Sequence, residues 1–175
     1  EVNGKRLSAR NIIIASGARP RVPDIPGLVE LDYLTSDTVW ELAELPPRLL
    51  VLGAGPIGCE LAQAFSRLGS EVTLATHAER ILPREDEEVS ELLRATFRRQ
   101  KISVCPSYEP LTFNLTEDGQ QGVFQTPRGQ KRVSFDRILL AVGRSPNVEG
   151  LGLEELGISL APQGTVDVDD YLSTV

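Results

Sequence analysis

The chain holds 175 residues, of which 41% are hydrophobic. That is enough for one packed core and too much for a peptide tail or a disordered linker. The formal charge of -7, from 25 acidic and 18 basic residues, supplies no clustered positive footprint for nucleic acid or an anionic membrane.

Two distant cysteines, Cys59 and Cys105, and a single histidine, His77, leave little material for a metal centre, a redox disulfide or a Ser-His-Asp nucleophile. There is no methionine, the first residue is Glu1, and no apolar run approaches the roughly 20 residues of a membrane helix. No targeting h-region is visible either. The expectation is a soluble, cytoplasmic segment excised from a longer polypeptide.

In chain order, Asn3-Gly4 predicts a hairpin turn, and the apolar run from Arg10 to Ala15 predicts a short buried strand ended by Ser16-Gly17-Ala18-Arg19-Pro20. Three prolines between Pro20 and Gly27 read as an extended connection and a domain boundary. Ser36 and Asp37 are placed to cap a short helix carrying Val39, Trp40 and Leu42 or Ala43, with Pro46-Pro47 as its stop. Arg48 to Leu52 is the next apolar strand, and the turn Gly53-Ala54-Gly55-Pro56-Ile57-Gly58 leads from it into a helix. On that helix Ile57, Leu61, Ala64, Phe65 and Leu68 recur at helical spacing, Pro56 suits the first turn and Gly69 the end.

A strand from Glu71 to Thr76 follows. A second helix starts in the acidic run Glu85 to Glu88 and ends with Arg94, Arg98, Arg99 and Lys101, an order of charge that complements the helix dipole. Its expected apolar stripe is Val89, Leu92, Leu93, Thr96 and Phe97, and Ile102 to Val104 is the third strand. From Tyr108 to Phe135 the period changes to two, with Leu111, Phe113 and Leu115 alternating and with turns at Glu117-Asp118-Gly119 and Thr126-Pro127-Arg128-Gly129. Arg137 to Val142 returns to a buried strand, closed by Gly143 to Asn147. The expected fold is α/β, a Rossmann-like βαβαβ parallel sheet with an inserted three-stranded antiparallel β-meander.

A GxGxxG pattern alone is weak, but this one follows a predicted strand and opens a predicted helix. Gly53 permits the tight turn, Gly55 lets backbone approach a pyrophosphate, Gly58 lets helix and strand pack closely, and the helix start at Pro56 and Ile57 offers amides to phosphate. The bland alternative is a turn that only connects strand to helix.

In the simple NAD fingerprint an acidic residue about 20 positions further on holds the ribose hydroxyls. Here that place is Thr76, followed by His77. A neutral hydroxyl and an imidazole leave room for a 2′-phosphate, with Arg80 close in sequence, which favours NADP over NAD. Glu79 as a ribose ligand, and His77 as an ordinary loop residue, stay open.

With the glycine motif, the meander and the closing run Ala141-Val142-Gly143-Arg144-Ser145-Pro146-Asn147 together, the sequence resembles the class I pyridine nucleotide-disulfide oxidoreductases, among them dihydrolipoyl dehydrogenase, mercuric reductase and glutathione reductase. The resemblance also covers Ile14 to Pro20, Ile25-Pro26-Gly27, Thr35-Ser36-Asp37, Val51 to Leu74, Arg80 to Asp86 and Gly152 to Ile158. It implies an NAD(P)H-binding domain at 28–150, flanked by an FAD-domain strand and linker at 1–27 and a connection back toward the FAD domain at 151–175.

By that resemblance the cofactor-binding residues are Gly53, Gly55, Pro56, Ile57, Gly58, Glu60, Thr76, His77, Arg80, Ala141, Val142 and Gly143. Gly143 and its neighbours border the nicotinamide end. Glu60 is implied to pair with a lysine of the FAD domain beside flavin and nicotinamide; otherwise it is a solvated helix-start glutamate.

The parent is implied to be a homodimer that binds FAD and carries out the redox step with cysteines outside this segment. The segment itself would bind nucleotide weakly and catalyse nothing. Two other readings stand beside this one: the Rossmann domain of a flavin-free NAD(P)-dependent dehydrogenase, and a non-catalytic nucleotide-binding module.

Overall fold

The apolar run Leu49 to Leu52 becomes the centre of a five-stranded parallel sheet. The computed structural model describes residues 3–117 and 119–174. Along the chain it places β1 (Ala18–Pro20), β2 (Leu34–Thr35), β3 (Arg48–Leu52), α1 (Pro56–Leu68), β4 (Glu71–Ala75), α2 (Glu87–Arg99), β5 (Ser103–Cys105), β6 (Glu109–Thr116), β7 (Gly119–Thr126), β8 (Gly129–Phe135), β9 (Arg137–Leu140) and β10 (Arg144–Pro146). The large sheet has the order β2-β9-β3-β4-β5, the meander is β6-β7-β8, and β1 and β10 form a two-stranded pair. The α/β architecture and the inserted meander are as the hydrophobic periods predict. No helix among the described residues is long and apolar enough to cross a membrane.

Past their leading arginines the central strands β3 and β9 are apolar without interruption because both faces of the sheet are covered. Leu49 and Val51 of β3, Val72 and Leu74 of β4 and Leu139 of β9 share one core with Cys59 and Ala62 of α1 and Phe97 of α2. Leu50 and Leu52, Ala75, Ile138 and Leu140 point the other way, into a second core with Phe113, Phe124 and Phe135, one from each meander strand. These rings meet edge to face, with centroids 6.0 Å apart for Phe113 and Phe124 and 6.1 Å for Phe113 and Phe135. The proline-rich connection joins this layer, since the Pro26 carbonyl accepts from the Phe113 amide at 2.9 Å and from the Thr112 hydroxyl at 3.2 Å.

Several expectations need correction. Arg10 to Ala15 forms no strand, and Ile12 and Ile13 are 82% and 89% exposed; an apolar run forms a strand only where another strand supplies its hydrogen bonds. The helix expected after Ser36 is a single 3-10 turn, Val39–Glu41. The hydroxyl of Thr38 accepts the Thr35 amide and that of Thr35 accepts the Thr38 amide, a reciprocal exchange of the capping-box kind just ahead of that turn. On α1 the buried residues are Gly58, Cys59 and Ala62, and of the expected stripe Leu61 and Phe65 are half-buried and pack against the same core, whereas Ile57, Ala64 and Leu68 are exposed.

On α2, Ser90 and Phe97 are buried and Leu93 packs half-buried against the same core, Thr96 is half-buried, and Val89 and Leu92 face outward. Ser90 is satisfied there by donating to the Ile81 carbonyl at 2.7 Å. In the meander Phe113 is buried but Leu111 and Leu115 are exposed, and at Leu111 a register shift between Pro110 and Thr112 breaks the alternation. Asp118 of the first meander turn, Val175 of the closing segment, and Glu1 and Val2 lie outside the described residues.

The chain divides into two compact units, Pro20–Arg144 and Glu1–Arg19 with Ser145–Val175. In the smaller unit the Arg19 guanidinium forks onto Glu149, at 2.7 and 3.1 Å, and reaches Asn147 at 3.0 Å. That hydrogen bonding holds the Glu149 carboxyl down at about 2. Asn147 in turn donates from its side chain to the Ser16 carbonyl and from its backbone to that of Gly17.

In the larger unit Arg48 ties the start of β3 to the corner between β8 and β9. Its guanidinium meets Asp136 at 2.6 and 3.1 Å, its amide donates to the same carboxylate at 2.9 Å, and the Asp136 amide returns a bond to the Arg48 carbonyl. These hydrogen bonds hold the Asp136 carboxyl below its ordinary range. The stabilisation is therefore complete above the unfolded-state value and is lost as pH falls through the lower folded-state one. Asp136→Asn is expected to lower unfolding free energy by roughly 1–2 kcal/mol at pH 7. Urea titrations should show the gap between the two proteins narrowing at pH 3 and below.

Candidate functional site

Three backbone segments converge where β3, β4 and β9 end. The first is the glycine turn. Gly53 sits at φ 104 and donates its amide to the Ala75 carbonyl at 2.8 Å, and a β-carbon on it would run into the carbonyl of Ala141. A β-carbon on Gly58 would run into the carbonyl of Gly53. Both glycines are therefore demanded by the chain's own packing.

Gly55 differs. Its φ of -75 is open to any residue, and nothing lies within 4 Å of the place a β-carbon would take. It caps α1, Pro56 fills the first helical position, and the first bond back into the turn is from the Cys59 amide to the Gly55 carbonyl. The amides of Ile57 and Gly58 precede that bond and remain available at the positive end of the helix dipole.

This turn opens onto a cavity of about 990 Å³ that is also lined by Thr76, His77 and Ala78 after β4, by Leu82 to Glu85 in the following loop, and by Ala141, Val142, Gly143 and Arg144 after β9. The volume lies at the upper end for small-molecule and cofactor clefts. Of the residues expected from sequence, Gly53, Gly55, Pro56, Ile57, Thr76, His77, Ala141, Val142 and Gly143 all line it. Thr76 is buried; its amide donates to the Cys105 carbonyl, its carbonyl accepts from the Tyr108 amide and its hydroxyl accepts the Ala78 amide at 3.2 Å. His77 is exposed at the rim.

Gly58 lies beneath the turn, and two other expected residues point elsewhere. Arg80 spends its guanidinium on the loop itself, donating to the carbonyls of Leu82, Pro83 and Glu85 at 3.4, 3.2 and 2.8 Å. Glu60 is the fifth residue of α1, past the first turn in which the helix dipole favours a carboxylate. It is exposed and borders a separate cavity of about 330 Å³ with Pro56, Cys59, Gln63, Leu82 and Glu85.

The loop between β4 and α2 is held under strain. Leu82 adopts φ 47, a left-handed conformation that costs a branched L-residue on the order of 1–2 kcal/mol. Its amide donates to the Ala54 carbonyl at 2.8 Å. Three arginines along the cavity, Arg21, Arg84 and Arg144, were not singled out from sequence. Arg144 is engaged with Ser36 and Asp37, whereas Arg84 makes no ion pair among the described residues. The signal for Arg84 was its place beside Pro83, in the loop that follows Thr76 and His77.

Both cysteines are free thiols. Burial pushes the Cys59 thiol up to about 11, and its sulfur lies 3.5 Å from the Ala54 carbonyl. Burial also raises Cys105. Neither has thiolate character at neutral pH. Among the described residues no group of three His, Cys, Asp or Glu side chains is arranged to hold a metal.

The family model for pyridine nucleotide-disulphide oxidoreductases matches residues 1–175. The chain is 38% identical to mercuric reductase from Staphylococcus aureus, over 99% of this chain and 32% of that protein. It is 34% identical to dihydrolipoyl dehydrogenase from Thermus scotoductus, over 99% and 38%. In structure it is similar to the HOCl-induced flavoprotein disulfide reductase RclA from Escherichia coli, with a TM-score of 0.78 and 32% identity over 91% of this chain and 36% of that one. The chain thus spans about a third of the length of the curated relatives it matches. A full-length match to the family model, with relatives of this identity and a fold shared at this level, establishes that the chain belongs to the pyridine nucleotide-disulphide oxidoreductase family, whose members are flavin-dependent oxidoreductases.

Proposed function

We propose that this chain is the NAD(P)H-binding domain of a flavin-dependent disulfide-type oxidoreductase. The observation that carries this reading is Gly55, a glycine that the fold does not require, set over open space at the start of α1. A bound pyrophosphate gives a reason for its missing side chain: the phosphates approach the backbone there and take the amides of Ile57 and Gly58. The adenosine half then extends toward Thr76 and His77, and the nicotinamide toward Ala141, Val142 and Gly143, across the carboxyl ends of the strands.

The nucleotide supplies a hydride, which in the parent passes to FAD held by segments outside this chain. What this domain contributes is binding and orientation. Glu60, by the family resemblance, is proposed to meet a lysine of the FAD-binding portion, and the parent is proposed to be a homodimer. NADP is favoured over NAD because the ribose position holds Thr76 and His77 rather than a carboxylate, and because the cation of Arg84 lines the same cavity. A flavin-free dehydrogenase would need a general acid or base at the nicotinamide, whereas His77 lies on the β4 side of the cavity, after the ribose position.

Calorimetric titration with NADPH, NADH and FAD tests the assignment: saturable binding of a nicotinamide nucleotide is expected, and selective binding of FAD would reassign the cradle to flavin. Gly55→Ala is expected to leave thermal stability within a degree or two and weaken NADPH at least about tenfold, because the added methyl meets only ligand. Gly58→Ala should instead lower stability by roughly 2–4 kcal/mol, since the helix must move off the turn. His77→Glu should weaken NADPH more than NADH through repulsion at the 2′-phosphate, and an equal effect on both would remove His77 from that end of the site.

A further inference from the structure

The loop between β4 and α2 walls the cavity with irregular chain, as Arg21, Pro23, Asp24 and Ile25 do elsewhere around it. Leu82 and Glu85 line both the large cavity and the smaller one beside α1, so this loop separates the two. Its conformation is not one the chain would choose alone, because Leu82 is left-handed. Something must hold it, and the bonds that do so come from three directions. The Leu82 amide reaches the Ala54 carbonyl in the glycine turn, the Ser90 hydroxyl takes the Ile81 carbonyl, and the Arg80 guanidinium takes the carbonyls of Leu82, Pro83 and Glu85. The Glu85 amide closes the loop onto the Leu82 carbonyl at 3.0 Å.

We infer that Arg80 is a positioning residue for the dinucleotide cleft: its guanidinium clamps residues 82–85 in the strained conformation that walls the cavity and sets Arg84 along it. This inference rests on the dinucleotide reading given above. Arginine is suited to the task because its planar fork directs separate N–H groups at different carbonyls, whereas a lysine ammonium concentrates its donors at one point. With the fork spent on the backbone, Arg80 acts on a ligand through the loop and through Arg84. The strain at Leu82 makes the device testable, since an asparagine tolerates the left-handed region that a leucine resists.

The experiment compares the 175-residue chain with Arg80→Gln, Arg80→Lys and the double variant Arg80→Gln, Leu82→Asn, by amide hydrogen exchange and by NADPH titration. Arg80→Gln is expected to speed exchange about tenfold at the Leu82 and Glu85 amides while leaving those of β3 and β4 unchanged. It should raise the Kd for NADPH about five- to tenfold. Arg80→Lys should recover little of either, and Leu82→Asn should recover part of both by relieving the strain the clamp holds. Unchanged exchange at Leu82 and Glu85 overturns the inference. So does acceleration spread equally through β3 and β4, which would make Arg80 a general stabiliser, and so does an unchanged Kd beside faster loop exchange. If the unsubstituted chain binds no nicotinamide nucleotide, it is the dinucleotide reading that falls, and the inference built on it falls too.

Discussion

The close approach of α1 to the end of β3 is the contact on which the rest of this structure depends. The carbonyl of Gly53 lies where a side chain on Gly58 would be, and the carbonyl of Ala141 lies where one on Gly53 would be. Three backbones therefore touch directly, with no side chains as spacers. The Gly53 amide bonds to Ala75 and the Ala141 amide to Leu52, so the same few residues join β3, β4 and β9 at their carboxyl ends. Because backbone rather than side chain makes these contacts, the helix start, its free amides and the strand ends have fixed separations, which a binding cleft for an extended ligand requires.

This contact determines how both cores are filled. With α1 drawn against the sheet, its buried face is made of Gly58, Cys59 and Ala62, and the bulk on that side comes from the strands and from Phe97 of α2. The opposite face carries no α-helix among the described residues, only the 3-10 turn Leu28–Glu30, whose Leu28 is buried there. The meander covers it with three phenylalanines, one per strand, and the Arg48–Asp136 clamp secures the place where the chain leaves the meander for β9. Chain that would be a crossover helix in the simplest doubly wound fold is here an antiparallel sheet, and the parallel sheet remains covered on both sides, as its apolar strands require.

The cleft that results combines rigid and adjustable parts. Strand ends and glycine turn form its floor. One wall is a loop held in a left-handed conformation at Leu82 by bonds to Ala54 and Arg80. The charges around it are mixed, with Arg21, Arg84 and Arg144 on one account and Asp24, Glu85 and Glu109 on the other. A net charge of -7 for the chain thus says little about the field inside the cleft, where position counts for more than total.

The amino-acid sequence by itself determined the order and type of the main elements. Period-two runs, helical spacing and turn glycines are local signals, and β3, α1, β4, α2, the three meander strands and β9 are where they point. It also determined the glycine cradle, since a strand, GxGxxG and a helix in succession leave few alternatives. Tertiary structure decided whatever depended on a distant partner. Arg10 to Ala15 is apolar enough for a strand but has none beside it, and the apolar stripes of α1 and α2 are narrower than their spacing suggested, with Leu61, Phe65, Leu93 and Phe97 against the core while Ile57, Leu68, Val89 and Leu92 stay exposed. Arg80 and Arg84 lie only four positions apart in a loop, and sequence proximity to the ribose position singled out the first, whereas the folded loop turns Arg80 onto its own carbonyls and places Arg84 along the cleft. Spacing along a chain specifies direction only inside a regular element; in a loop, direction is set by the hydrogen bonds that the fold supplies.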